Sequence, residues 1–181
     1  MIFITALLLQ NNSTSIMKTI LLIITLLFSI SQSFSQEYSI PKDYNFKTKD
    51  DYVKYEKHII EGVNWLLKSP LTSEKTKRKE INAFIMKWMT GSPTVSIELS
   101  QDIVTFMDCP DCLMLFMGGW TKHVIETKDN SNKSKGNLAG ILAVIEFYNL
   151  NKAALGKNKA IEKYIKIQTK GTLEKYIDSK M

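Results

Sequence analysis

Apolar residues recur at helical spacing through most of this chain, in blocks separated by turn-forming residues. Tyr52, Tyr55, Ile59, Ile60, Val63, Leu66 and Leu67 follow an i, i+3, i+4, i+7 pattern with lysine and glutamate between them, which predicts an amphipathic helix. Thr48 is placed to cap it, and Asp50 and Asp51 fall in its first turn, where the helix dipole favours negative charge. Pro70 requires it to stop near Ser69. A second helix is predicted behind a cap at Thr72 or Ser73, burying Ile81, Phe84, Ile85, Trp88 and Met89, with Gly91 just past its end. Val95, Ile97 and Leu99 then alternate with Ser96 and Glu98, and Ile103 to Met107 is a short apolar run. Residues 94–107 are therefore expected to form either one short β-hairpin or an extended connector.

The pattern changes at Cys109. Pro110 suits the first helical position, Cys109 stands where a cap belongs, and Leu113-Met114-Leu115-Phe116-Met117 covers every direction around a helix instead of one stripe. Such a helix must be enclosed by others. It continues through Gly118-Gly119-Trp120 to about Glu126, and the two glycines cost it roughly 2 kcal/mol relative to alanines. Close approach of a neighbouring helix would offset that cost. Residues 127–136 (TKDNSNKSKG) read as the most exposed loop. Leu138, Ile141, Leu142, Val144, Ile145, Phe147 and Tyr148 predict another strongly apolar helix, the expected partner of Gly118 and Gly119. A shorter helix with Ala160, Ile161, Tyr164 and Ile165 stops at Gly171, and Thr172 caps a last one carrying Leu173, Tyr176 and Ile177. The expected fold is all-α, a compact bundle of five or six helices around a central buried helix.

The N-terminus stands outside that bundle. Residues 20–30 (ILLIITLLFSI) form an apolar run behind Met17-Lys18 and ahead of small polar residues, the outline of a signal peptide over 17–35 with cleavage before Gln36. An apolar run of this length falls short of the roughly 20 residues needed to span a bilayer. Residues 1–16 lack the positive start of such a signal and read as an upstream extension from a misplaced start codon. Removing residues 1–35 from a chain of 181 leaves 146, with 23 basic residues against 18 acidic and a net charge of +5. One domain, residues 36–181, is expected, exported to the periplasm or secreted, with no membrane span after cleavage.

Chemistry-bearing patterns are few. Cys109 and Cys112 are the only cysteines, at the spacing of dithiol oxidoreductases, in which a helix N-terminus lowers the first thiol's pKa. A thioredoxin-like fold, however, alternates strands with helices and faces its dithiol with a downstream proline, and no proline follows Pro110. Asp108 and Asp111 also oppose a thiolate. The leading reading is a local disulfide that pins the central helix, with an active dithiol and two free buried thiols as alternatives. His58 and His123 lie too far apart in sequence for a structural zinc site with these cysteines, so no metal and no cofactor are expected. Catalytic motifs such as G-x-S-x-G and H-E-x-x-H are missing. Lys75, Lys77, Arg78 and Lys79, and Lys152, Lys157, Lys159, Lys163, Lys166 and Lys170, are interleaved with glutamates and read as solvated helical faces, with no nucleic-acid partner. Trp65, Trp88 and Trp120 are expected in or beside the core; two of them meeting at an exposed groove would be the first candidates for partner contact.

The pieces Trp65-Leu66-Leu67 with Ser69-Pro70-Leu71, Trp88 with Gly91-Ser92-Pro93, Gly118-Gly119-Trp120, and Phe147-Tyr148 ahead of a lysine-rich tail together resemble a group of small exported helical proteins of Bacteroidota-type bacteria. That resemblance implies compartment and helical class and supplies no catalytic residue. The expected function is that of a non-enzymatic secreted or periplasmic protein acting through protein or envelope contacts. The alternatives are a thiol-disulfide protein using Cys109 and Cys112, or a periplasmic immunity or inhibitor protein.

Overall fold

The computed structural model describes residues 38–181, so the expected upstream extension, signal segment and cleavage point lie outside the described residues. Six helices follow one another: α1 (Lys49–Lys68), α2 (Lys75–Gly91), α3 (Pro110–Thr127), α4 (Lys133–Leu155), α5 (Lys159–Thr169) and α6 (Leu173–Asp178). There is no strand among the described residues. Residues 94–107 form the connector, not the hairpin, because they are folded by local turns. The amides of Ile103 and Val104 both donate to the Ser100 carbonyl, at 3.1 and 2.7 Å. Val95, Ile103, Val104 and Phe106 enter the core while Leu99 stays 46% exposed, so strand-like alternation here serves an irregular segment.

Helix α3 is the axis of the bundle. Met114, Leu115, Phe116 and Trp120 are buried, and Leu113 and Met117 are half-buried against the core. Its chief neighbour is α4, and α1 packs on another side. The glycine pair divides between them. A Cβ on Gly119 would stand 2.6 Å from Ala143 Cβ and 2.8 Å from the Ala139 carbonyl oxygen on α4. One on Gly118 would instead meet Val63 of α1 at 3.2 Å, so α4 is the partner of one glycine and not of both. Helix α4 answers with its own small residues. Gly140 lies under the Phe116 ring and Gly136 under Trp120, with no room for a Cβ at either. Backbones approach where side chains are missing, and the packing gained offsets the helix penalty of glycine.

This contact also shortens the expected 127–136 loop to residues 128–132, since α4 begins at Lys133 to bring Gly136 onto Trp120. Asn132 caps α4, its side-chain oxygen accepting the Lys135 amide. Helix α1 starts in a full capping box, in which the Thr48 hydroxyl accepts the Asp51 amide and the Asp51 carboxylate accepts the Thr48 amide at 2.8 Å. The start of α2 departs from expectation. Neither Thr72 nor Ser73 caps it; Glu74 does so in a left-handed conformation (φ 46°) without a side-chain bond. At its other end Gly91 is the last helical residue, and its missing Cβ admits the Tyr52 hydroxyl.

The segment before α1 belongs to the core. Tyr38 is buried, and Tyr44 and Phe46 join Tyr52, Tyr55 and Phe84 in an aromatic cluster with centroid separations from 4.7 to 6.2 Å. This segment packs against α1 and α2.

Candidate functional site

Cysteine at the start of a buried helix gives this sequence its one dithiol–disulfide pair. The connector delivers Cys109 by a turn in which its amide donates to the Phe106 carbonyl at 3.0 Å. Pro110 then opens α3, and Cys109 is its cap: the Sγ accepts the Cys112 amide at 3.3 Å. Cys109 and Cys112 are joined as a disulfide. Cys112 is wholly buried, and Cys109 is 9% exposed.

A cleft of about 160 Å³ opens beside this disulfide. Tyr148, Leu155 and Ile161 form its apolar side, and Asp108, Pro110, Asp111, Lys157 and Asn158 its rim. Asn158 organises the rim. Its side-chain oxygen caps α5 by accepting the Ala160 and Ile161 amides, both at 3.1 Å. Its amide group donates to Asp108 at 3.2 Å, and its backbone N–H donates to the Tyr148 hydroxyl at 3.0 Å. The Tyr148 hydroxyl in turn donates to the Gly156 carbonyl at 3.1 Å. Outside the cleft, the Tyr164 hydroxyl donates to the Ile103 carbonyl at 2.7 Å, and burial pushes its pKa up to about 12. Asp108, Tyr148 and Asn158 are thus engaged in holding the connector, α4 and α5 together. The volume is below the roughly 300 Å³ at which small-molecule sites begin.

Arg78 departs most from its sequence reading. Within a cluster taken as solvated, it is turned inward and is 5% exposed. The C-terminus of α1 explains this, because carbonyls left over at a helix end need donors. The guanidinium donates to the Leu66 carbonyl at 3.4 Å and to that of Ser69 at 2.5 Å, between the rings of Trp65 and Phe147. Burial lowers its pKa, and the carboxylate of Asp111 works in the opposite direction. Asn151 ties the link after α1 to α4, accepting the Leu71 amide at 2.6 Å while donating to the Phe147 carbonyl at 3.0 Å.

The remaining expected residues are spread through the molecule. Trp65 is 7% exposed, Trp88 0% and Trp120 1%: all three lie in the core, and no two of them meet at an open groove. The Trp88 indole N–H donates to the Tyr52 carbonyl at 3.0 Å, which accounts for its one polar atom. Gly118 and Gly119 lie in the interior of α3, away from the cleft. The imidazole of His58 lies 3.7 Å from Glu61 on its own helix, and no group of three or more histidine, cysteine, aspartate or glutamate side chains converges among the described residues. Sequence reasoning missed Asn158, Tyr148 and Asn151. Asn158 carried a readable signal, an asparagine directly before a helix-forming run, whereas the other two owe their roles to pairings across the fold. No protein-family model, no curated protein and no solved structure matches the chain.

Proposed function

We propose that this chain is a non-enzymatic helical protein, exported to the periplasm or secreted, that acts through contacts with proteins or envelope components. The observation that carries the reading is the closed Cys109–Cys112 disulfide at the cap of the core helix, since such bonds persist in oxidising compartments. The charged start and apolar run of residues 17–35, and the resemblance to small exported helical proteins of Bacteroidota-type bacteria, support the same compartment. Intact mass of the protein recovered from its native compartment tests the reading. The expected species begins at Gln36 and lacks both thiol hydrogens. A full-length, reduced chain recovered from the cytosol would sink it.

One observation favours a second reading, a thiol-disulfide protein. The Cys109 sulfur accepts a helix N-terminal amide, and Cys109 lines the cleft, an arrangement that stabilises a thiolate when the bond is opened. Asp108 and Asp111 beside it work against that thiolate. The reduction potential separates the two. A value below about −300 mV marks a structural bridge, and a higher one with rapid exchange against a reporter thiol supports the redox reading.

A further inference from the structure

Charge is distributed unevenly along the described chain. Residues 38–151 carry 15 lysines and arginines against 14 aspartates and glutamates, whereas residues 152–181 carry 8 against 3. Nearly the whole excess positive charge therefore sits on the last two helices and their flanks. The tertiary structure sharpens this imbalance, because all three acids of the segment are engaged toward α4. Glu162 pairs with Lys152 at 2.9 Å, Glu174 pairs with Lys135 at 2.5 Å, and Asp178 accepts from the Ser134 hydroxyl.

The lysines face the other way. Lys159, Lys163, Lys166 and Lys170 are spaced 4, 3 and 4 residues apart, which places them within an arc of about 60° along about 16 Å of helix. Ile161 and Tyr164, on the opposite side of α5, are the residues it buries. All four lysines are exposed, and none forms an ion pair among the described residues. Lys163 donates to the Tyr176 hydroxyl at 2.9 Å and lies over its ring, and Lys180, just past the end of α6, approaches the same ring. Tyr176 thus draws a cation of α5 and one from the chain after α6 toward one surface.

We propose that this outer face of α5, with Lys180 beside it, is an adsorption surface for anionic lipid bilayers. This deepens, and rests on, the reading of an exported protein that works through envelope contacts. A helix exposing a straight lysine row is convex and offers no groove to hold a strand. Nor does it present a free aromatic ring for stacking a base, since the Tyr176 ring is covered by lysines. A flat field of anionic headgroups needs neither groove nor register, and mobile lipids gather beneath the row. The contact is electrostatic and superficial, as no large apolar side chain is exposed on α5 to insert.

The test uses the protein recovered from its native compartment and vesicles of phosphatidylglycerol mixed equally with phosphatidylcholine, against phosphatidylcholine alone. Adsorption is expected on the anionic vesicles only, released as salt rises from about 50 to about 500 mM. The fourfold variant Lys159→Gln, Lys163→Gln, Lys166→Gln and Lys170→Gln should lose at least about tenfold in partitioning. A control with Lys42→Gln, Lys49→Gln, Lys68→Gln and Lys79→Gln removes the same charge from the neutral body and should change it less than about threefold. Circular dichroism verifies that both variants fold. Equal losses in the two variants, adsorption to neutral vesicles, or stripe-dependent retention on DNA or a sulfated polysaccharide with none on anionic vesicles would overturn the proposal. The two ideas fail separately: absent adsorption leaves export untouched, while a reduced, uncleaved cytosolic chain sinks export whatever the vesicles show.

Discussion

Gly118 and Gly119 are chemically identical neighbours with opposite expected responses to a methyl group. Alanine improves helix propensity by about 1 kcal/mol at either position. At Gly119 the added Cβ meets the α4 backbone at 2.8 Å, which cannot move without parting the two central helices. Gly119→Ala should therefore destabilise by about 1–3 kcal/mol in urea unfolding, as overpacking does. At Gly118 the obstacle is a Val63 methyl at 3.2 Å, and a shift of a few tenths of an ångström suffices. Gly118→Ala should stay within about 1 kcal/mol of wild type, and the reverse ranking would contradict the division of the pair between α4 and α1. Arg78 offers a second residue-scale test. Arg78→Ala removes two charge-assisted bonds and the packing between Trp65 and Phe147, and should cost about 2–4 kcal/mol. Arg78→Lys should recover only part of that loss, because one ammonium does not reproduce the fork that reaches both the Leu66 and the Ser69 carbonyls.

Among the elements, α1 shows most directly how a local signal becomes structure. Thr48 and Asp51 exchange bonds within four residues, so the start of the helix is written in sequence. Thr48→Ala should cost about 1 kcal/mol and fray the first turn, measurable as faster amide exchange there. Backbone bonds from Thr48 and Lys47 hold the Asp51 carboxyl below its ordinary pKa. A lowered pKa contributes stability above the unfolded value and loses it as acid protonates the folded group. First-turn protection in α1 should accordingly fall below about pH 4 in the wild type and be insensitive to that change in Asp51→Ala. Helix α2 shows the converse. Its first turn lacks a side-chain cap, and its place is set by Arg78 reaching back to the end of α1. Thr72 and Ser73 looked like caps because capping chemistry is local, whereas the position of α2 is decided by a bond to another helix.

For the molecule as a whole, the disulfide closes a sequence separation of only 3, and so small a loop restricts the unfolded chain little. Reduction, or the Cys109→Ser and Cys112→Ser pair, should cost about 2 kcal/mol and leave the helical spectrum intact. Collapse on reduction would mean that the cap does far more than pin one helix end. Alkaline stability reports the core. With the Tyr164 phenol raised to about 12 by burial, folded and unfolded states both hold its proton below about pH 10, and between about 10 and 12 only the folded state does. Stability should fall across that window, and Tyr164→Phe should flatten the fall; an unchanged slope would contradict the buried phenol. Sequence periodicity determined the helical class, the enclosed α3 and the cap of α1, because each depends on residues within a turn or two of one another. Five apolar side chains in a row cannot be satisfied by one neighbour, whatever that neighbour is. Tertiary structure alone decided which glycine meets which helix, that Arg78 turns inward, that Tyr38, Tyr44 and Phe46 enter the core, and that the acids near the C-terminus face α4 while its lysines face out. Those outcomes depend on distances between segments many residues apart, and such distances exist only once the helices have packed.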